Sequence, residues 1–201
     1  MTKLIMLLLT TSFVCSAQAQ KQQYDATNFD IAGVKLGMNK DEAVTALTTF
    51  LKVEESALRF PSYLLKDQIL NRKIAKNFTY EADGVRVQVS MVAAIPIDEA
   101  NPLRVNLITY ETKRTDENMH SLRDKAFEKY GLPTNGVREN DHVSRKYSWC
   151  NFDTSIQNNS CFNAIGAKLE LRAPTIQLSD PTYLKKIQKY MQNKNKAKVS
   201  F

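Results

Sequence analysis

Residues 29–51 read FDIAGVKLGMNKDEAVTALTTFL. Phe29, Ile31, Val34 and Leu36 place apolar side chains in a segment too short for a helix, so the chain opens as a strand. Gly33 interrupts it, which marks a bulge or a close approach of backbone, and Gly37 supplies a bend. Asn39 is a good N-cap, because its side-chain oxygen can accept an N–H of the first turn. Glu42, three residues on, completes a capping box, and with Asp41 it suits the positive end of the helix dipole. Ala43, Val44, Ala46, Leu47, Phe50 and Leu51 recur at helical spacing and form one apolar face. A helix with a single apolar face needs a sheet to pack on, and the rest of the chain is read for that sheet.

Residues 61–75 carry Leu64, Leu65, Gln68, Ile69 and Arg72 at near-helical spacing, with Pro61 suited to a first turn, and predict a second helix. A strand over 77–82 then runs into Asp83-Gly84, a strong hairpin signal. Val85, Val87, Val89 and Met91 alternate with Arg86, Gln88 and Ser90, which gives a strand with one buried face, ended by Pro96. Leu103, Val105 and Leu107 alternate in a third strand. Met119, Leu122, Ala126 and Tyr130 share the face of a helix over 116–130, which Gly131 and Pro133 stop. Residues 142–150 and 167–171 read as strands. Asp180-Pro181 opens a last helix whose apolar face, Tyr183, Leu184, Ile187, Tyr190 and Met191, is expected to dock on the body. The fold class is α+β, an antiparallel sheet covered on one face by helices. Helix-then-strands occurs twice, over 29–112 and 115–192, within one domain spanning 20–192; the correspondence is one of pattern and not of residues. Residues 20–28 are polar and read as a flexible arm, and 193–201 as a basic, disordered tail.

Leu36-Gly37-Met38-Asn39, followed by Glu42-Ala43 and Leu47, resembles the signature of the outer-membrane assembly lipoprotein E family (SmpA/OmlA type). It is also similar to the tandem-repeat domains of β-lactamase-inhibitor-like proteins. The resemblance implies helices over one face of an antiparallel sheet and a protein that acts by binding other proteins.

Lys3, the apolar run 4–14 and Ala17-Gln18-Ala19 make a three-part signal peptide over 1–19, with cleavage expected after Ala19. The expected location is periplasmic or secreted. The apolar run is too short to span a bilayer, and Val14 before Cys15 departs from a lipobox, so ordinary cleavage without a lipid anchor is expected. Two cysteines remain, Cys150 and Cys161. In an exported chain such a pair reads as a disulfide. There is no C-x-x-C, and the two histidines, His120 and His142, fall in different elements, so neither metal nor cofactor is expected.

The net charge of +7 is unevenly placed. Residues 181–201 hold six lysines and no acid, whereas 20–180 carry 21 basic and 21 acidic residues. A neutral body with a basic terminus argues against a nucleic-acid-binding fold, whose basic side chains would spread over a docking face. Neither H-E-x-x-H, nor G-x-S-x-G, nor a P-loop occurs, and the chain reads as a non-enzyme. Asp141 and His142 would point to opposite faces of a strand. The best candidate recognition surface surrounds the disulfide: Tyr147, Trp149, Phe152, Asn158 and Phe162, since Trp and Tyr are enriched at binding hot spots. The competing reading makes Trp149 core. A second candidate is Lys185, Lys186 and Lys189, continued by the lysines beyond Asn193, as a patch for an anionic lipid or polysaccharide; the competing reading is a solvated end. Three functions follow as expectations: first an envelope module that binds a protein partner, as an assembly factor or an inhibitor of a secreted enzyme; second a protein that associates with an anionic surface; third an enzyme of unrecognised type.

Overall fold

The computed structural model describes residues 22–136, 146–153 and 161–199, with side chains as far as Lys194. The expected signal peptide, Cys15, His142 and Asn158 lie outside the described residues. The opening strand is a miniature hairpin: β1 (Asp30–Ile31) pairs with β2 (Val34–Lys35) around Ala32-Gly33. Both turn residues have positive φ, 51° and 79°, as a two-residue hairpin turn requires. The close approach expected at Gly33 is present, since a Cβ there would lie 3.1 Å from the Ala46 carbonyl oxygen. The hairpin is thereby seated on α1 (Lys40–Leu51). Asn39 Oδ1 accepts the Glu42 N–H at 2.9 Å, and Glu42 Oε2 accepts the Asn39 N–H at 2.8 Å. Ala43, Val44 and Leu47 are buried. Phe50, assigned by spacing to the same face, is exposed instead; it sits over Gly33, which has no side chain to cover it.

The helix predicted over 61–75 does not form. Its backbone is organised by Asp67, a buried carboxylate that the periodicity does not mark. Asp67 Oδ1 accepts the N–H groups of Ile69 and Leu70, each at 2.9 Å, and Oδ2 pairs with Lys76 Nζ at 3.1 Å. A side chain that captures amides two and three residues ahead favours a turn over a helix, and Asn71, with φ of 55°, takes the left-handed conformation. Ile69 is buried while Tyr63 and Leu65 are exposed. Burial by itself would raise the Asp67 pKa, but the two amides and Lys76 outweigh it and hold the carboxyl below its ordinary value. A depressed folded pKa contributes stability that is present above the unfolded pKa of about 4 and is lost as pH falls through the folded value. Asp67→Asn is therefore expected to flatten the dependence of the urea midpoint on pH below about 4. An unchanged slope between pH 5 and pH 2.5 would show that Asp67 does not carry it.

Four elements agree closely with the sequence reading. β3 (Asn77–Ala82), β4 (Val85–Ala93) and β5 (Leu103–Thr112) form a meander, and α2 (Asp116–Tyr130) follows. Then come β6 (Tyr147–Phe152), β7 (Ala164–Arg172), β8 (Thr175–Ser179) and α3 (Thr182–Val199). The strand read over 142–150 is seen from 147 onward, its start lying outside the described residues. β8 has no counterpart in the sequence reading, although Ile176 and Leu178 alternate inward there. α3 runs through Val199, so residues 194–199, read as part of a disordered tail, are helical instead. Residues 22–28 are also not a free arm: Ala26 is fully buried and the Tyr24 N–H donates to the Cys150 carbonyl at 3.0 Å.

The six main strands form one antiparallel sheet in the order β3-β4-β5-β8-β7-β6. Two meanders, each preceded by a helix, thus meet edge to edge at β5 and β8. One face is the core. Phe78, Val87, Val89, Met91, Val105, Ile108, Leu169, Leu171 and Leu178 cluster there with Val44 and Leu47 of α1, Ala126 and Tyr130 of α2, and Ile31 and Val34 of the hairpin. Tyr130 ties hairpin and α2 together, its hydroxyl donating to the Asp30 carbonyl at 2.6 Å beside a Lys129–Asp30 ion pair at 2.8 Å. Both sheet edges are partly occupied: Arg59 exchanges backbone hydrogen bonds with Thr79 on β3, and Asn135 does so with Ser148 on β6. Short occupied edges discourage further strand addition.

Candidate functional site

The recognition surface expected around the disulfide is divided by the alternation of β6. Trp149 and Tyr147 point into the core, 0% and 1% exposed. Trp149 meets Phe127 and Tyr130 edge to face at centroid distances of 5.9 and 6.1 Å, and its Nε1–H donates to the Gly131 carbonyl at 2.9 Å. A satisfied, fully buried indole is a packing residue and contributes no contact surface. Cys150, one position on, faces the other way and is bonded to Cys161, with Cα atoms 5.7 Å apart. Phe152 follows Cys150 to that side through a break in register and is buried beside the bridge. Of the five residues read as one surface, Phe162 alone among the described ones is exposed, at 93%. It borders a cavity of about 260 Å³ with Lys146, Lys168 and Glu170.

The second face of the sheet is the larger surface. Directly paired residues on neighbouring strands point to the same side, so the register assembles rows that no single strand displays. One row is Thr79, Gln88, Thr109, Gln177 and Glu170. The next is Glu81, Arg86, Glu111, Thr175 and Arg172, in which charge alternates between strands. The first row is half-buried and the charged residues of the second are exposed, and α1 and α2 pack on the opposite side. Glu170 lies between Lys146 at 2.5 Å and Lys168 at 3.2 Å. Its burial would raise the pKa, but the two ammonium groups prevail and keep it ionised below the usual carboxylate range. The sequence carries each strand's outward polar residues; their lateral order depends on pairing between residues far apart in the chain.

Lys185, Lys186 and Lys189 are exposed on α3, as expected of them. Lys186 stacks over the Tyr183 ring at 5.1 Å. Tyr183, Ile187, Tyr190 and Met191 are half-buried, whereas Leu184, assigned to the docked face, is exposed. Among the described residues, no group of three His, Cys, Asp or Glu side chains could hold a metal ion, and no helix is long and apolar enough to cross a membrane. The site class defined here is a polar, open sheet face on an α+β scaffold, with a disulfide at one end. Against protein-family models, curated proteins and solved structures alike, the chain has no match.

Proposed function

We propose that the protein is an exported, non-catalytic module that binds a protein partner of the cell envelope on the open face of its sheet. The observation that carries this reading is that face: five strands wide, polar, and mixed in charge, with the outward side of β6 buried beneath the disulfide. Five strands spaced by about 4.8 Å and paired over about five residues give a footprint of roughly 400 Å². That is about half of the roughly 800 Å² each partner contributes to a standard interface. Alternating charge suits a protein surface of complementary pattern, which gains specificity and register from it. A nucleic acid would call for a basic excess. The signature at residues 36–47 resembles exported protein-binding modules, and the Cys150–Cys161 bridge fits an oxidising compartment.

The test is in-cell crosslinking of the full chain, with Thr109→Glu and Gln177→Arg together as the variant. These residues are paired neighbours at the centre of the face and half-buried, and opposite charges directly across a strand pair attract, so the variant avoids a like-charge clash. The wild type is expected to capture a defined partner, and the variant to lose at least about tenfold of that adduct with an unchanged melting temperature. A full adduct in the variant would exclude this face as the docking surface.

A further inference from the structure

A groove of about 480 Å³ lies between the loop after β4 and the middle of α3. Ile95, Pro96 and Ile97 form one wall, and Lys186, Lys189 and Tyr190 line the other. Positions 186, 189 and 190 share one face of the helix by their spacing of three and four. Lysines on a surface helix are ordinarily only solvated. These two differ because they line a groove whose facing wall is apolar, Lys186 with its ammonium over the Tyr183 ring. Neither forms an ion pair among the described residues. Asp98, one residue beyond the wall, is occupied: Arg104 donates to it at 3.0 Å, and the N–H groups of Ala100 and Asn101 at 3.1 and 2.9 Å. Residues 181–201 contain no acid at all.

Greasy lining beside uncompensated positive charge is complementary to one kind of ligand, an anionic head on an alkyl chain. A small inorganic anion would leave the apolar wall wet, and a neutral chain would leave the ammonium groups without a partner. We propose that this groove binds a single-chain anionic amphiphile, a medium-chain carboxylate or alkyl phosphate free in solution. The head lies between Lys186 and Lys189, and the chain runs along Ile95, Ile97 and the Tyr190 ring. The volume is within the range of small-molecule sites. No residue of the groove belongs to the open sheet face, so this site stands or fails independently of the protein-binding reading.

The experiment is a titration of the full chain with laurate, kept below its micellar concentration and followed by backbone amide NMR shifts. Saturable shifts are expected at Ile95, Ile97 and Tyr190. Lys186→Ala with Lys189→Ala should weaken binding by about tenfold, and Lys194→Ala should leave it unchanged. Ile97→Ser should weaken it as well, while butyrate and dodecyl maltoside produce no saturable shift. Any of four results would overturn the proposal: shifts centred elsewhere, equal saturation by butyrate, equal loss in Lys194→Ala, or binding seen solely with phosphatidylglycerol vesicles. The last would assign the lysines to a bilayer surface. An unchanged melting temperature confirms that each variant is folded.

Discussion

Replacing Trp149 with alanine is expected to lower the unfolding free energy by about 3–5 kcal/mol. The side chain is fully buried and packs edge to face against Phe127 and Tyr130. Its removal leaves a large void in a close-packed region and strips the Gly131 carbonyl of its donor at 2.9 Å. Neighbouring rings held by β6 and α2 cannot collapse into that space without moving the strand or the helix. At about 2–4 °C per kcal/mol for a domain of this size, the melting temperature should fall by roughly 6–20 °C. Trp149→Phe should cost less, because it keeps most of the volume and loses chiefly the hydrogen bond. Thermal denaturation followed by far-UV circular dichroism measures both. A fall of less than about 2 °C for Trp149→Ala would place the ring at the surface and revive its role as a binding residue.

Removal of the Cys150–Cys161 bridge has the second large effect. The cysteines are 11 residues apart, and closing a loop of that length restricts the unfolded chain by about 2.5–3 kcal/mol in the chain-entropy description. Cys150→Ala with Cys161→Ala avoids burying two new hydroxyls where both sulfurs are buried. Its urea midpoint should drop accordingly, and reduction of the wild type should reproduce the drop. The bridge anchors the end of β6, where Thr134 Oγ1 also bonds the Cys150 backbone at 3.3 Å and the Cys161 N–H reaches Asn135 Oδ1 at 2.9 Å. Loss of order is therefore expected to begin at that end of the sheet. Amide exchange should accelerate first in β6 and its contact with Asn135, with β4 and β5 protected to the global limit. Native, unreduced protein whose two thiols alkylate freely would contradict the bridge itself.

Local chemistry made much of this chain readable. The capping box at Asn39 and Glu42, the Asp83-Gly84 turn, and the stop at Gly131 depend on residues within four positions of one another, and the structure has all three. β4 alternates cleanly because one of its faces is buried along its length, so periodicity reports it; in β5 the alternation breaks after Val105, and Ile108 takes the buried place that spacing assigned to Leu107. Residues 61–75 misled for a related reason. Helical spacing of Leu64, Leu65 and Ile69 is a statement about side chains, whereas the outcome was set by the backbone amides that Asp67 takes. An acid on an apolar stretch is normally read as a solvated residue; only its partner Lys76, nine positions on, makes it a buried turn centre.

The sequence by itself determined the α+β class, the limits of α1, β3 and α2, the cysteine pair and the location of the lysines. Each of these follows from composition or from neighbours in the chain. Tertiary structure decided which aromatic residues are core, where the groove beside α3 lies, and what the open face displays. Trp149 and Cys150 are adjacent residues with opposite fates because a strand alternates, and which side is core depends on what covers the sheet. The row from Thr79 to Glu170 exists because β5 pairs with β8, nearly 70 positions further along. Contacts of that sequence separation are chosen by the packing of the whole domain, which no local pattern of residues encodes.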